Sequence, residues 1–198
     1  MSQVIISVGR EFGSGGRYIA EKLSERFDIP LYDRHLITEI AKKTGMTEEQ
    51  VNKYNEAPNI KILSRRVNGY SNSIEDNIAE MQFDIIEQKA KNGESFVVIG
   101  RCSETKLKDY PSLVSLFILG DMDKKIERVK EIYELNDDEA KKFITKKDKK
   151  RKRYHNYHCN GKWGDSRLYD LSINSSKLGI DKTIDVLEQY IKSRIENM

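Results

Sequence analysis

The chain has 198 residues, enough for one well-filled core, and combines a 37% hydrophobic fraction with 34% charged residues, the composition of a soluble globule. No window approaches the roughly 18 consecutive apolar residues of a membrane span, and the opening MSQVII lacks the basic start and long apolar stretch of a signal peptide. Two cysteines, Cys102 and Cys159, are too few for a disulfide framework and point to a reducing, cytoplasmic setting. The net charge is only +3, but its distribution is uneven: residues 141–153 read KKFITKKDKKRKR. By itself that run could serve phosphate esters, nucleic acid or plain solvation.

In chain order, QVIISVG reads as a buried strand, followed at once by glycines and then by IAEKLSERF, whose Ile19, Leu23 and Phe27 recur at helical spacing. IPLYD is a short strand-like run. HLITEIAKKTG is a helix closing at Gly45, and Thr47 to Gln50 form a capped helix start. Residues 58–73 are polar and irregular. A longer amphipathic helix is expected over 74–91, stopping near Asn92 and Gly93. SFVVIG at 95–100 and SLVSLFILG at 112–120 are buried strands, and Ile126, Val129, Ile132 and Tyr133 mark the helix that follows. The basic run contains Phe143 and Ile144 and reads as helical, ahead of an aromatic, turn-rich patch, RYHNYHCNGKWGD. LYDLSIN at 168–174 alternates as a strand, and a last helix closes the chain. Strands alternating with helices predict a parallel sheet covered on both faces.

The most specific feature is GREFGSGGR at residues 9–17, with four glycines between a buried strand and a helix. Tight glycines let backbone N–H groups turn toward an anion, and the helix N-terminus adds partial positive charge. This is the setting of a phosphate-binding loop. Aligned on the Walker A pattern G-x-x-x-x-G-K-[ST], Gly16 takes the lysine place, Arg17 the hydroxyl place and Arg10 that of the first glycine. Such a loop cradles phosphate through its backbone, with Arg17 or Arg10 as substitute cation and Ser14 or a carboxylate left to help hold a metal.

REFGSGGRYIAEKL, IPLYDRHLI, FVVIGRCSETKLKDYPSL and KWGDSRLYDLSINSSKLGID together resemble the cytidylate kinase-like family of P-loop proteins, along nearly the whole chain. That family's variant loop, REYGSGG, already lacks the lysine. The resemblance implies a three-layer α/β P-loop NTPase fold: a five-stranded parallel sheet (core 1–33, 93–135 and 166–198), a helical substrate-binding insertion (34–92) and a basic lid (136–165). It further implies ATP and Mg²⁺ as cofactors and a nucleoside monophosphate, CMP or dCMP, as acceptor. On that reading the basic run is a lid closing over the transferred charge rather than a nucleic-acid face. The open alternative is a nucleotide-binding sensor, or a protein acting on a different acceptor.

The expected loop contacts are Gly13, Ser14, Gly15, Gly16 and Arg17. Asp33, at the end of the second strand, is expected to position an acceptor oxygen or a Mg²⁺ water; capping the helix that starts at Arg34 is the competing role. Asp33 and Arg34 are thus placed on the substrate side, with Arg101 of the Gly-Arg pair, which resembles the monophosphate contact of cytidylate kinases. Asp148, Arg151 and Arg153 match the family's lid, and Arg151 joins Arg17 and Asp33 as a catalytic candidate. Asn174 and Ser175 follow the last strand and resemble the loop that touches the base, though a polar turn accounts for them equally. Arg65 and Arg66 are weaker candidates for the pocket wall. Cys102 reads as a small buried filler. His155, His158 and Cys159 carry metal-ligating atoms, but a structural zinc site wants paired spacings that the sequence does not display, so no metal ligand is assigned.

Overall fold

The computed structural model describes residues 3–56, 66–67, 70–71 and 73–197; the side chains of residues 34, 35, 52, 54–56, 66–67 and 70–71 fall outside it. Five strands, β1 (Ile5–Arg10), β2 (Leu31–Tyr32), β5 (Phe96–Ile99), β6 (Leu113–Leu119) and β7 (Leu171–Asn174), form one parallel sheet in the order β2-β5-β1-β6-β7. β1 is central, pairing Ile5 to Val8 with Phe96 to Ile99 on one side and with Leu113 to Leu116 on the other. The remaining described strands, β3 (Arg66–Val67) and β4 (Tyr70–Ser71), make a small antiparallel hairpin in the stretch expected to be irregular. Arg65 lies outside the described residues, as does the Arg66 side chain.

Alternation along the strands builds three layers. Ile6, Val8, Val97, Ile99, Leu116 and Ile118 face α1 (Gly16–Phe27) and α9 (Ile180–Glu196), packing on Ile19, Leu23, Ile184, Leu187 and Ile191. Ile5, Phe96 and Val98 face the opposite way, onto Leu36, Ile37 and Ile40 of α2 (Arg34–Thr44) and Ile78, Ile85 and Ile86 of α4 (Ile74–Lys91). Val51 of α3 (Glu48–Glu56) joins that second core. The start of α3 is fixed reciprocally: the Gln50 amide donates to Thr47 Oγ1 and the Thr47 amide to Gln50 Oε1, at 3.2 and 2.8 Å.

The remaining helices are α5 (Ser103–Lys106), α6 (Met122–Tyr133), α7 (Asp137–His158) and α8 (Ser175–Leu178). The basic run lies inside α7, a single 22-residue helix opened by a capping box between Asn136 and Glu139. The helix continues through the patch expected to be turn-rich, up to His158. Its C-terminal part is held by packing: Tyr154 and His158 lie against each other, His158 against Phe83 of α4, and Tyr157 donates to Asp76 at 3.0 Å. Tertiary contact has overridden the local turn signal of Asn156, while the chain bends at Asn160 and Gly161 as expected. Among the described residues no helix is long and apolar enough to cross a membrane.

Candidate active site

The glycine loop lies between β1 and α1, at the C-terminal edge of the sheet. Gly13 and Gly15 have φ of 81° and 79°, in the left-handed region that glycine enters freely. Gly15 is the N-cap of α1 and provides no side-chain cap, so the first amides of the helix stay available to an anion. Ser14 is buried and donates its hydroxyl to Glu11 O at 2.9 Å. A Cβ on Gly16 would stand 2.6 Å from Cβ of Arg10, so the missing Walker lysine and the path of Arg10 are one steric fact.

Arg10 leaves the end of β1 and runs past Gly16 to Gly100, where any Cβ would collide with its guanidinium. Its Nε is buried and has no hydrogen-bond partner among the described residues. Burial, then the nearby Arg151, pushes its pKa well below the usual arginine value; Asp33 opposes this, while Arg101 and Arg17 add to the repulsion. Cations enclosed together in this way form a site that an anion would relieve.

Arg101 stands on a strained turn. Gly100, Arg101 and Cys102 have φ of 67°, 61° and 54° in succession, and the last two are not glycine. The turn is pinned by Ser103, whose hydroxyl donates to Gly100 O at 2.7 Å and lies 2.7 Å from the Ser7 hydroxyl of β1. The strain carries the Arg101 side chain into a cavity of about 240 Å³. Arg10, Lys147, Lys150, Arg151 and Arg153 also line that cavity, against a single carboxylate among the described residues, Glu104.

Asp33 is the N-cap residue of α2, but its carboxylate makes no cap hydrogen bond. It faces Arg17 instead, at 3.4 Å, and Arg17 also donates to Glu21 at 2.9 Å. The Arg34 side chain lies outside the described residues. Arg151 donates to Arg10 O at 3.2 Å and lies over the Phe12 ring, its centre 5.2 Å from the centroid. Burial lowers its pKa, opposed by Asp148 and Asp33. Asp148, one turn earlier on α7, accepts the Phe12 amide of the loop at 2.6 Å. Burial pushes the Asp148 carboxyl up, against that hydrogen bond and the charges of Lys125 and Arg151. Arg153 is exposed at the cavity mouth. Asn174 and Ser175 meet the other flank of the loop. Ser175 donates to Ser14 O at 2.6 Å, and the Asn174 side chain joins Asp121 to the Ser176 amide.

Three residues of the arrangement escaped sequence reasoning. Lys125 of α6 is 4% exposed and reaches under the loop to Glu11 at 3.0 Å and Asp148 at 3.4 Å. Arg128 donates to Gly13 O at 2.7 Å. Glu11 also accepts the Gly120 amide. The available signal was the register of α6: Lys125 lies four residues before Val129, on the same buried face.

The sheet order and the glycine loop at its central strand are those of a P-loop kinase fold. The chain matches the model of the cytidylate kinase-like family over residues 5–177, and it belongs to that family. A cytidylate kinase of Methanopyrus kandleri is 26% identical over 197 residues, covering 98% of this chain and 95% of that one. The crystal structure of an uncharacterized protein from Eubacterium ventriosum is 40% identical with a TM-score of 0.77, covering 96% of this chain and 99% of the other. Shikimate kinase from Bacteroides thetaiotaomicron shares the fold at 14% identity and a TM-score of 0.56, over 96% and 98% of the two chains.

Proposed function

We propose that the chain is an ATP- and Mg²⁺-dependent kinase that phosphorylates a nucleoside monophosphate, with CMP or dCMP the leading acceptor. The observation that carries this reading is the convergence of Arg10, Arg101 and Arg151 on the sheet edge beside the glycine loop, with the buried Arg10 Nε left without a partner among the described residues. The family membership and the curated cytidylate kinase relative point the same way.

The residues present fit the cofactor: the glycine loop offers uncapped helix amides, and the cations around it would balance a polyphosphate. Bound ATP-Mg²⁺ supplies the phosphoryl group and a counter-charge. Residues 13–16 hold phosphate oxygens through backbone amides, and Ser14 and Asp33 would help to hold the metal. Arg101 fixes the acceptor's phosphate from the strained turn. Arg151 closes from α7, Arg17 and Arg10 neutralise developing charge, and Arg153 screens the mouth. Catalysis on this reading is positioning and charge neutralisation. The insertion (34–92) and the lid (136–165) are the parts that would frame the acceptor.

A second reading rests on the loop itself. With Gly16 in the lysine place and Lys125 already matched by two carboxylates, a nucleotide-binding sensor or a kinase for another acceptor has the same loop. ADP release from ATP-Mg²⁺, measured with each nucleoside monophosphate beside calorimetric ATP binding, separates the two. Stimulation by CMP or dCMP is expected, with Arg151→Ala lowering kcat on the order of 10²-fold. ATP binding that no monophosphate converts to turnover would overturn the nucleoside monophosphate kinase reading in favour of the second.

A further inference from the structure

Four residues with ligating side chains gather at the back of the cavity without a part in phosphoryl transfer. Cys102 and Glu104 come from the turn after β5; His155 and Cys159 come from the last turn of α7 and its C-cap. All four are buried, at 2%, 5%, 4% and 8% exposure. The spacing of His155 and Cys159 puts both on one helix face. The sequence separation of 51 between Glu104 and His155 explains why no paired spacing appears in the sequence.

The ligand atoms of Glu104, His155 and Cys159 lie within 4.8 Å of one another. Cys102 packs with Cys159 in one buried cluster. Glu104 Oε1 meets His155 Nε2 at 2.8 Å, which fixes the ring. The other nitrogen, Nδ1, is buried and has no hydrogen-bond partner among the described residues. A carboxylate on the far nitrogen of an imidazole is the usual support of a metal-bound histidine. Two sulfurs and one imidazole suit a borderline-soft ion with tetrahedral habit. Cys102 also keeps a left-handed backbone that no glycine relieves, and its thiol meets Cys159.

We infer that Cys159 and His155 Nδ1, oriented by Glu104, bind one divalent ion of the zinc class that draws in Cys102 as third ligand and thereby joins the Arg101 turn to the end of α7. On binding, protons remaining on the two thiols and on Nδ1 leave to solvent, and three ligand-to-metal bonds form with no change in oxidation state. The fourth position is left to water. The ion would lock the turn that carries Arg101 to the helix that carries Arg151. This inference is independent of the acceptor's identity.

The test uses the full chain, reduced and freed of metal with a chelator, then titrated with cobalt(II) alone. One equivalent is expected to give a thiolate-to-cobalt charge-transfer band that one equivalent of zinc(II) abolishes. Cys159→Ser should remove the band, Cys102→Ser should weaken it by about half, and Glu104→Gln should keep it while loosening cobalt by about 10- to 100-fold. Because a substitution here can unfold the chain, the wild-type protein gives a second readout: zinc should slow labelling of both cysteines by a thiol reagent at least about tenfold. Absence of the band under excess cobalt, or a band that survives Cys159→Ser, would overturn the site. So would recovery of the two cysteines as a disulfide in protein that, once reduced, takes up no cobalt.

Discussion

Gly16 and Arg10 occupy one volume between them, and this governs what substitutions the loop accepts. Restoring the Walker lysine with Gly16→Lys would put a Cβ into the Arg10 stem. The expected result is a loss of about 1–3 kcal/mol of stability, measured by denaturant unfolding, with weaker rather than stronger ATP binding. Tighter ATP binding at unchanged stability would show that Arg10 is dispensable. The glycines and Arg17 were legible as a phosphate-loop pattern because turn geometry demands specific residue types. The reach of Arg10 to Gly100 was not, since an arginine ending a strand gives no sign of where its guanidinium goes. Asp33 was readable as a strand-end carboxylate, but only the structure shows that it turns to Arg17 instead of capping α2.

Among the elements, α7 depends most on its ends. The Asn136 and Glu139 side chains satisfy each other's backbone amides, so Asn136→Ala should cost about 1 kcal/mol and raise amide exchange in the first turn. Unchanged exchange there would mean that Ala140 and Ile144, packed on Val129, hold the helix without its cap. The mixture of lysines with Phe143 and Ile144 made this helix legible. Its length beyond Arg153 was not, because what holds the last turns is α4, with Tyr157 bonded to Asp76 across a sequence separation of 81. The α6 register is a similar case: a lysine on a buried face looks like a surface residue until its two carboxylates are brought beneath it.

For the molecule as a whole, the alternation of apolar strands and amphipathic helices carried the architecture, since a parallel sheet must be covered on both faces. Leu116 sits at the centre of that arrangement with 0% exposure, so Leu116→Ala should cost about 2–5 kcal/mol by equilibrium unfolding. A loss under about 1 kcal/mol would mean that the layers repack around the gap. What stayed illegible was the assembly of the site, which draws on residues 10, 33, 101, 125 and 151, brought together by the sheet order and by no local pattern. The acceptance of the Phe12 amide by Asp148 gives that assembly a further property. The carboxylate is a tethered anion seated on the loop, so on the proposed function an incoming polyphosphate would meet a competitor whose local concentration is set by the protein itself. Loading the loop and moving α7 would then be a single exchange.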